Sequence, residues 1–196
     1  MKEIFNLTKE LIKIPSVTGK SKEALSCFLR IENQFSDMIN ARIESGDGYL
    51  IVKNFDGKHA HIVLNGHVDV VAAEKSQFEP YEKDGKLYGR WSGDMKAGVA
   101  LITMLMKELL EQNYTKKNVM MILTADEETW WPTMEKLVNE KWYGWDVVLI
   151  PDGWSTTEIA LMQKGVLHLT VEASWVACHS SRPWLGENAV HNLVNF

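Results

Sequence analysis

The sequence predicts an α/β fold, a mixed and mostly parallel sheet flanked by helices. Three observations lead there. Some segments repeat apolar residues at helical spacing, others are short apolar runs closed by turn residues, and the two kinds alternate through the middle of the chain. A rhythm of strand, helix, strand, helix, strand needs crossover connections, and crossovers make neighbouring strands parallel.

The elements follow in order. Residues 3–13 carry Ile4, Phe5, Leu7, Leu11 and Ile12 at helical spacing, and Pro15 and Gly19 break the pattern. A second helix is expected over 21–38, with Ala24, Leu25, Phe28, Leu29 and Ile31 turned inward. ARIES and GYLIVKNF read as strands on either side of a turn at Gly46-Asp47-Gly48. HAHIVLNGHVDVV reads as the next strand, and residues 95–112 as a long apolar helix. NVMMILT is then a buried strand, PTMEKLVNE a helix with Pro132 in its first turn, and DVVLIPD another short buried strand. From about residue 163 the style changes. VLHLTVEASW alternates like an edge or half-exposed strand, and NAVHNLVNF begins an amphipathic helix.

Composition bounds the function. Of 196 residues, 45% are hydrophobic and 24% charged, a globular balance. Twenty-one basic residues against 26 acidic ones leave a formal charge of −5, which argues against a nucleic-acid binder working through a basic surface. Cys27 and Cys178 form no disulfide framework and suit a reducing compartment. No stretch approaches 18 consecutive apolar residues, and the N-terminus is amphipathic with acids in it, unlike a signal peptide. The expectation is a cytoplasmic protein with neither membrane nor nucleic-acid partners.

Four clusters at predicted strand ends carry chemistry, where open α/β sheets bind ligands. In Asn65-Gly66-His67-Val68-Asp69, His67 and Asp69 leave the same face of an extended segment, so the carboxylate can fix the tautomer of a ligating imidazole. A strand-end histidine bonded to a turn is the alternative. Asp94, in Gly93-Asp94-Met95-Lys96, precedes the long apolar helix and reads either as a ligand or as a helix cap. Ala125-Asp126-Glu127-Glu128 follows a buried strand; its acids repel one another unless a cation or solvent relieves them. Asp152 sits between Pro151 and Gly153, where a structural turn is the alternative. Imidazole with carboxylates suits zinc or a similar divalent ion, and a shared aspartate could bridge two.

The motifs GHVDVV, GDMKAGVA, TADEE, the acid of IPD and CHSSRPWLGENAV resemble, in order and spacing, the acetylornithine deacetylase, succinyl-diaminopimelate desuccinylase and glutamate carboxypeptidase group of metallohydrolases. The resemblance spans about residues 5–195. It implies a zinc-peptidase-like catalytic domain whose N-terminal part is residues 1–162, and a smaller α+β lid or dimerisation domain beginning at 163–196. It implies two divalent ions, zinc first, with cobalt or manganese as substitutes. His67 and Asp152 would hold one metal, Glu128 the other, and Asp94 would bridge them. Asp69 would orient His67, and Glu127 would be the general base and acid. His179 would reach a partner subunit's site in a homodimer and stabilise the oxyanion; Asn188 would contact substrate. Arg182 could pair with a substrate carboxylate or simply be an exposed loop arginine. The implied reaction is metal-assisted hydrolysis of an amide in an N-acyl amino acid or small peptide.

Two departures stand against the family pattern. The chain stops at Phe196, before the pattern's downstream histidine ligand, so this stretch alone is expected to hydrolyse poorly or not at all. Eight tryptophans are also present, and Trp91, Trp130, Trp131, Trp142, Trp154 and Trp175 fall where the family has glycine or in typical glycine settings. A stop codon recoded as glycine but read as tryptophan would explain them; Trp184 fits as it stands, and Trp145 is ambiguous. The alternative is a diverged member with an altered cleft, a non-catalytic binding or interaction domain. A nucleotide-binding domain is disfavoured by the lack of GxGxxG or P-loop glycines.

Overall fold

A computed structural model describes residues 1–153, 158, 159, 162, 165, 167 and 169–194. Its contacts divide into two units, Met1–Glu158 and Ile159–Phe196.

The first unit is built on β6 (Val119–Thr124), whose six residues are all buried. Such a run can only be covered on both faces, so β6 lies inside the sheet. β2 (Tyr49–Lys53) flanks it antiparallel, and β3 (His59–His67) flanks it parallel on the other side. Beyond β2 lies β1 (Arg42–Gly46), antiparallel; beyond β3 lies β7 (Gly144–Leu149), parallel. The order is β1-β2-β6-β3-β7, a mixed sheet in which β6, β3 and β7 run the same way. The β1–β2 turn is the expected one, with Gly48 at φ +80°.

Alternate strand residues supply two cores. Leu50, Val52, Leu64, Met121 and Leu123 pack with α1 (Lys2–Ile12), α2 (Ser21–Glu32) and α3 (Ala97–Glu111). Tyr49, Ile51, Val63, Met120 and Ile122 pack on the opposite face with Leu137 of α4 (Pro132–Asn139). The sheet is therefore sandwiched by helices.

Several expectations need correction. α2 stops at Glu32 and is followed by a 3₁₀ turn at Asn33–Phe35 rather than running to 38. Its inward stripe is Ala24, Cys27, Phe28 and Ile31, whereas Leu25 and Leu29 are half exposed. At 100° per residue those two leucines lie one step around the helix from the stripe. β7 is not buried: it is an edge strand of the first unit, with Val147 and Leu149 51% and 52% exposed. A hairpin of β4 (Tyr81–Lys83) and β5 (Lys86–Tyr88) was not legible, being short, charged and exposed. In the second unit, none of the described residues of VLHLTVEASW forms a strand; Val166 and His168 lie outside the described residues. Alternation alone did not suffice there, since a strand needs a partner ladder. That unit contains a bridge between Val176 and Glu187 and α5 (Ala189–Val194), the expected terminal helix. Among the described residues, no helix is long and apolar enough to cross a membrane.

Burial in the central strand sets stability. Ile122→Ala, in the fully buried β6, is expected to remove ~2–5 kcal/mol. Leu149→Ala, at the exposed edge, is expected to remove under ~1 kcal/mol. Urea unfolding of the two variants beside the parent checks the difference.

Candidate metal centre

Register brings the chemistry to one edge. His67 pairs with Thr124, so the Asp126-Glu127-Glu128 turn begins just beyond it. Leu64 pairs with Leu149, so Asp152, three residues on, comes level with His67. Three parallel strands therefore end together and deliver an imidazole and carboxylates to one place.

Asp94 arrives from the turn Ser92–Lys96 that opens α3. Two glycines allow the approach. A Cβ on Gly66 would meet Met95 Cε at 3.0 Å, and one on Gly98 would meet the Pro151 carbonyl oxygen at 2.5 Å. Without those side chains the start of α3 lies directly against β3 and the end of β7, so Asp94 reaches both His67 and Asp152. Lys96 pins the same turn from beneath. Its buried ammonium donates to the carbonyls of Leu11 at 2.8 Å and Ile14 at 2.7 Å, where the negative end of the α1 dipole favours a cation. Burial pulls its pKa down to about 8, against the opposing charges of Cys27 and Asp69.

His67 is fully buried. Its Nδ1 faces the Asp69 carbonyl oxygen at 3.1 Å and Asp69 Oδ1 at 3.3 Å, which assigns the proton to Nδ1. Nε2 is then turned toward three acids: Asp94 Oδ1 at 3.2 Å, Asp152 Oδ2 at 3.6 Å and Glu127 Oε2 at 3.8 Å. His67, Asp94 and Asp152 each offer a ligand atom within 4.8 Å of the others.

Asp69 ties the strand ends together. Its oxygens accept the Thr18 hydroxyl at 2.9 Å and the backbone N–H groups of Glu127 and Glu128, both at 3.2 Å. One carboxylate thus orients the imidazole and holds the turn that carries the two glutamates. Burial opposes its charge, but the His67 hydrogen bond and charge, with Thr18 and the Glu127 amide, hold its pKa low.

Asp94, Glu127 and Glu128 resist ionisation. Burial first, and then Asp152, raise Asp94 against the pull of His67. Burial and the surrounding carboxylates likewise raise Glu127 and Glu128. Burial disfavours charge on His67 itself, yet hydrogen bonds to Asp152 and Asp69 and the charges of Asp69 and Glu127 outweigh it, lifting the pKa to about 10. The cluster therefore holds a proton where it lacks a cation. Oε1 of Glu128 and Oδ1 of Asp126 are buried without a hydrogen-bond partner. Excess negative charge, one oriented imidazole and an unsatisfied carboxylate oxygen fit a divalent cation.

A cleft of about 720 Å³ adjoins these acids, lined by Tyr81, Tyr88, Arg90, Trp91, Asp94 and Asp152 among others. Tyr81 and Tyr88, from the hairpin, stack at 5.1 Å.

The expected site residues of the first unit thus converge: His67, Asp94, Glu127 and Asp152 directly, Asp69 behind the imidazole, and Glu128 in the same turn as Glu127. His179, Arg182 and Asn188 belong to the second unit. His179 is exposed there, with Nδ1 at 2.8 Å from the Ser181 hydroxyl. Arg182 is exposed and donates its backbone N–H to the His179 carbonyl. Asn188 Oδ1 accepts the Val190 N–H at 2.9 Å, a helix-capping bond at the start of α5. Sequence reading missed Thr18 and Lys96. Their signal was the segment Pro15-Ser16-Val17-Thr18-Gly19, read only as a helix break, and a lysine amid an apolar run.

Sequence comparison bears on the same residues. A sequence model described as peptidase family M20/M25/M40 matches residues 63–193. A Staphylococcus epidermidis protein named "Probable succinyl-diaminopimelate desuccinylase" is 38% identical over 143 residues, covering 69% of this chain and 35% of the relative. This chain thus spans about a third of that relative's length. The fold is shared with a Staphylococcus aureus tripeptidase, at TM-score 0.66 and 15% identity over 99% of this chain and 55% of that one. It is shared too with human carnosine dipeptidase 1, at TM-score 0.62 and 20% identity over 78% and 38%. Because the family match runs through most of the sequence, from the middle of β3 into α5, and takes in all four strand-end clusters, the chain belongs to peptidase family M20/M25/M40.

Proposed function

We propose that this site serves metal-dependent hydrolysis of an amide bond in an N-acyl amino acid or small peptide. The carrying observation is the ring of carboxylates around His67 Nε2, which suits a divalent cation. The names of the relatives support the bond type, since desuccinylation and peptide cleavage both break an amide.

His67 and Asp152 would hold one zinc ion, Glu128 a second, and Asp94 both; cobalt and manganese accept the same donors. When bound, such ions polarise the scissile carbonyl and make water more acidic. Glu127 supplies the proton path. Its raised pKa suits a base that takes a proton from the attacking water and returns it to the leaving amine. Asp69 keeps the His67 proton on Nδ1, so that Nε2 presents its lone pair. In this reading residues 163–196 begin a lid through which two copies pair. His179 of one copy would reach the partner subunit's site and stabilise the oxyanion there, while Arg182 and Asn188 would contact substrate. Two free cysteines fit cytoplasmic residence.

Calorimetric titration of the chelator-stripped chain with zinc is expected to show saturable uptake, weakened roughly tenfold or more by Asp94→Asn. No uptake would favour a non-catalytic binding domain. Glu127→Gln is expected to leave zinc uptake intact while lowering amide hydrolysis by the whole protein ~10²–10⁴-fold. Asp69→Asn is expected to remove ~1–3 kcal/mol of stability in urea titration, because it weakens the acceptor shared by Thr18 and two backbone amides.

A further inference from the structure

Among the described residues, five non-glycine residues have clearly positive φ: Asp84 at 51°, Asn113 at 50°, Trp130 at 72°, Trp131 at 56° and Trp142 at 62°. Asp and Asn tolerate the left-handed region, because a short polar side chain can bond to the local backbone. A bulky residue there is a genuine outlier. Three of the five are nonetheless tryptophan.

Each occupies a place where the chain needs glycine's freedom. Trp130 closes the 3₁₀ turn of Glu127–Thr129, and Trp131 precedes Pro132 at the start of α4. The Pro132 ring crowds the backbone and Cβ of the residue before it. Trp142 lies where the chain reverses after α4, and the next amide, of Tyr143, bonds back to the Leu137 carbonyl. A left-handed residue after a helix is usually glycine.

Burial offsets little of the strain at Trp130 and Trp142. Trp130 and Trp142 are 69% and 78% exposed, so their indoles forgo most of the burial that favours tryptophan. Trp131 does bond, through Nε1 to the Thr124 hydroxyl at 3.0 Å, but keeps its left-handed backbone. Trp91, beside Asp94, stacks under the Arg90 guanidinium at 4.5 Å, but its buried Nε1 has no hydrogen-bond partner. Trp145 behaves differently: it lies within β7 and packs on the second core.

We infer that positions 91, 130, 131 and 142 are glycine in the natural polypeptide, inserted at a codon that this sequence renders as tryptophan. The turn that follows Glu127 and Glu128 is then a flexible Gly-Gly-Pro turn, and the cleft loses an indole next to Asp94. The inference rests on backbone conformation and polar satisfaction, independent of the proposed hydrolysis.

Tandem mass spectrometry of the protein from its native cells tests it. Peptides spanning the four positions are expected to carry glycine, while those spanning Trp145 and Trp184 carry tryptophan. The gene is expected to use one codon at the four positions and another at 145 and 184. Tryptophan in the native peptides, or a single codon at all six positions, would overturn the inference. As a second measurement, the recombinant chain carrying W130G, W131G and W142G is expected to melt roughly 2–4 °C higher per position than the chain as written. A lower melting temperature for the glycine chain would count against it.

Discussion

A concentration of negative charge on one buried imidazole governs the carboxyl edge of the sheet. Asp94, Asp152 and Glu127 all approach Nε2 of His67 within 3.8 Å. Like charges so close cannot all ionise without a counter-charge. The raised pKa values of Asp94, Glu127 and Glu128, with that of His67, express this one constraint. Asp69 is the exception that makes the rest orderly. Surrounded by donors rather than acids, it stays ionised and fixes both the imidazole and the glutamate turn.

The scaffold makes this crowding possible. Parallel pairing of β6, β3 and β7 sets three chain segments level, and the close contacts at Gly66 and Gly98 let a fourth approach. The buried cation of Lys96, held by carbonyls at the end of α1, then ties the Asp94 turn to a distant helix. The site residues are separated by up to 85 residues in sequence, from His67 to Asp152. No single local segment could assemble them.

Much of this was legible beforehand, for physical reasons. The continuous apolar run NVMMILT reads as an interior strand, and the acids directly after it lie at the carboxyl end of the sheet. His67 and Asp69 were readable as a pair because their spacing puts both on one side of an extended chain. What escaped was set by tertiary partners. Thr18 matters only because Val17 bridges to Val70 and brings the loop beside Asp69. Leu25 and Leu29 look as apolar as Phe28, and only the angular position of the sheet decides which of them is covered. The edge position of β7 likewise depends on which strands lie beside it, and apolar composition does not report that.

The most direct test of the central claim is anomalous diffraction at the zinc absorption edge from crystals of the chain grown with zinc. An anomalous peak is expected about 2.0–2.2 Å from His67 Nε2 and from carboxylate oxygens of Asp94 and Asp152. Peaks confined to surface histidines such as His59, with His67 Nε2 bonded only to protein carboxylates, would contradict it.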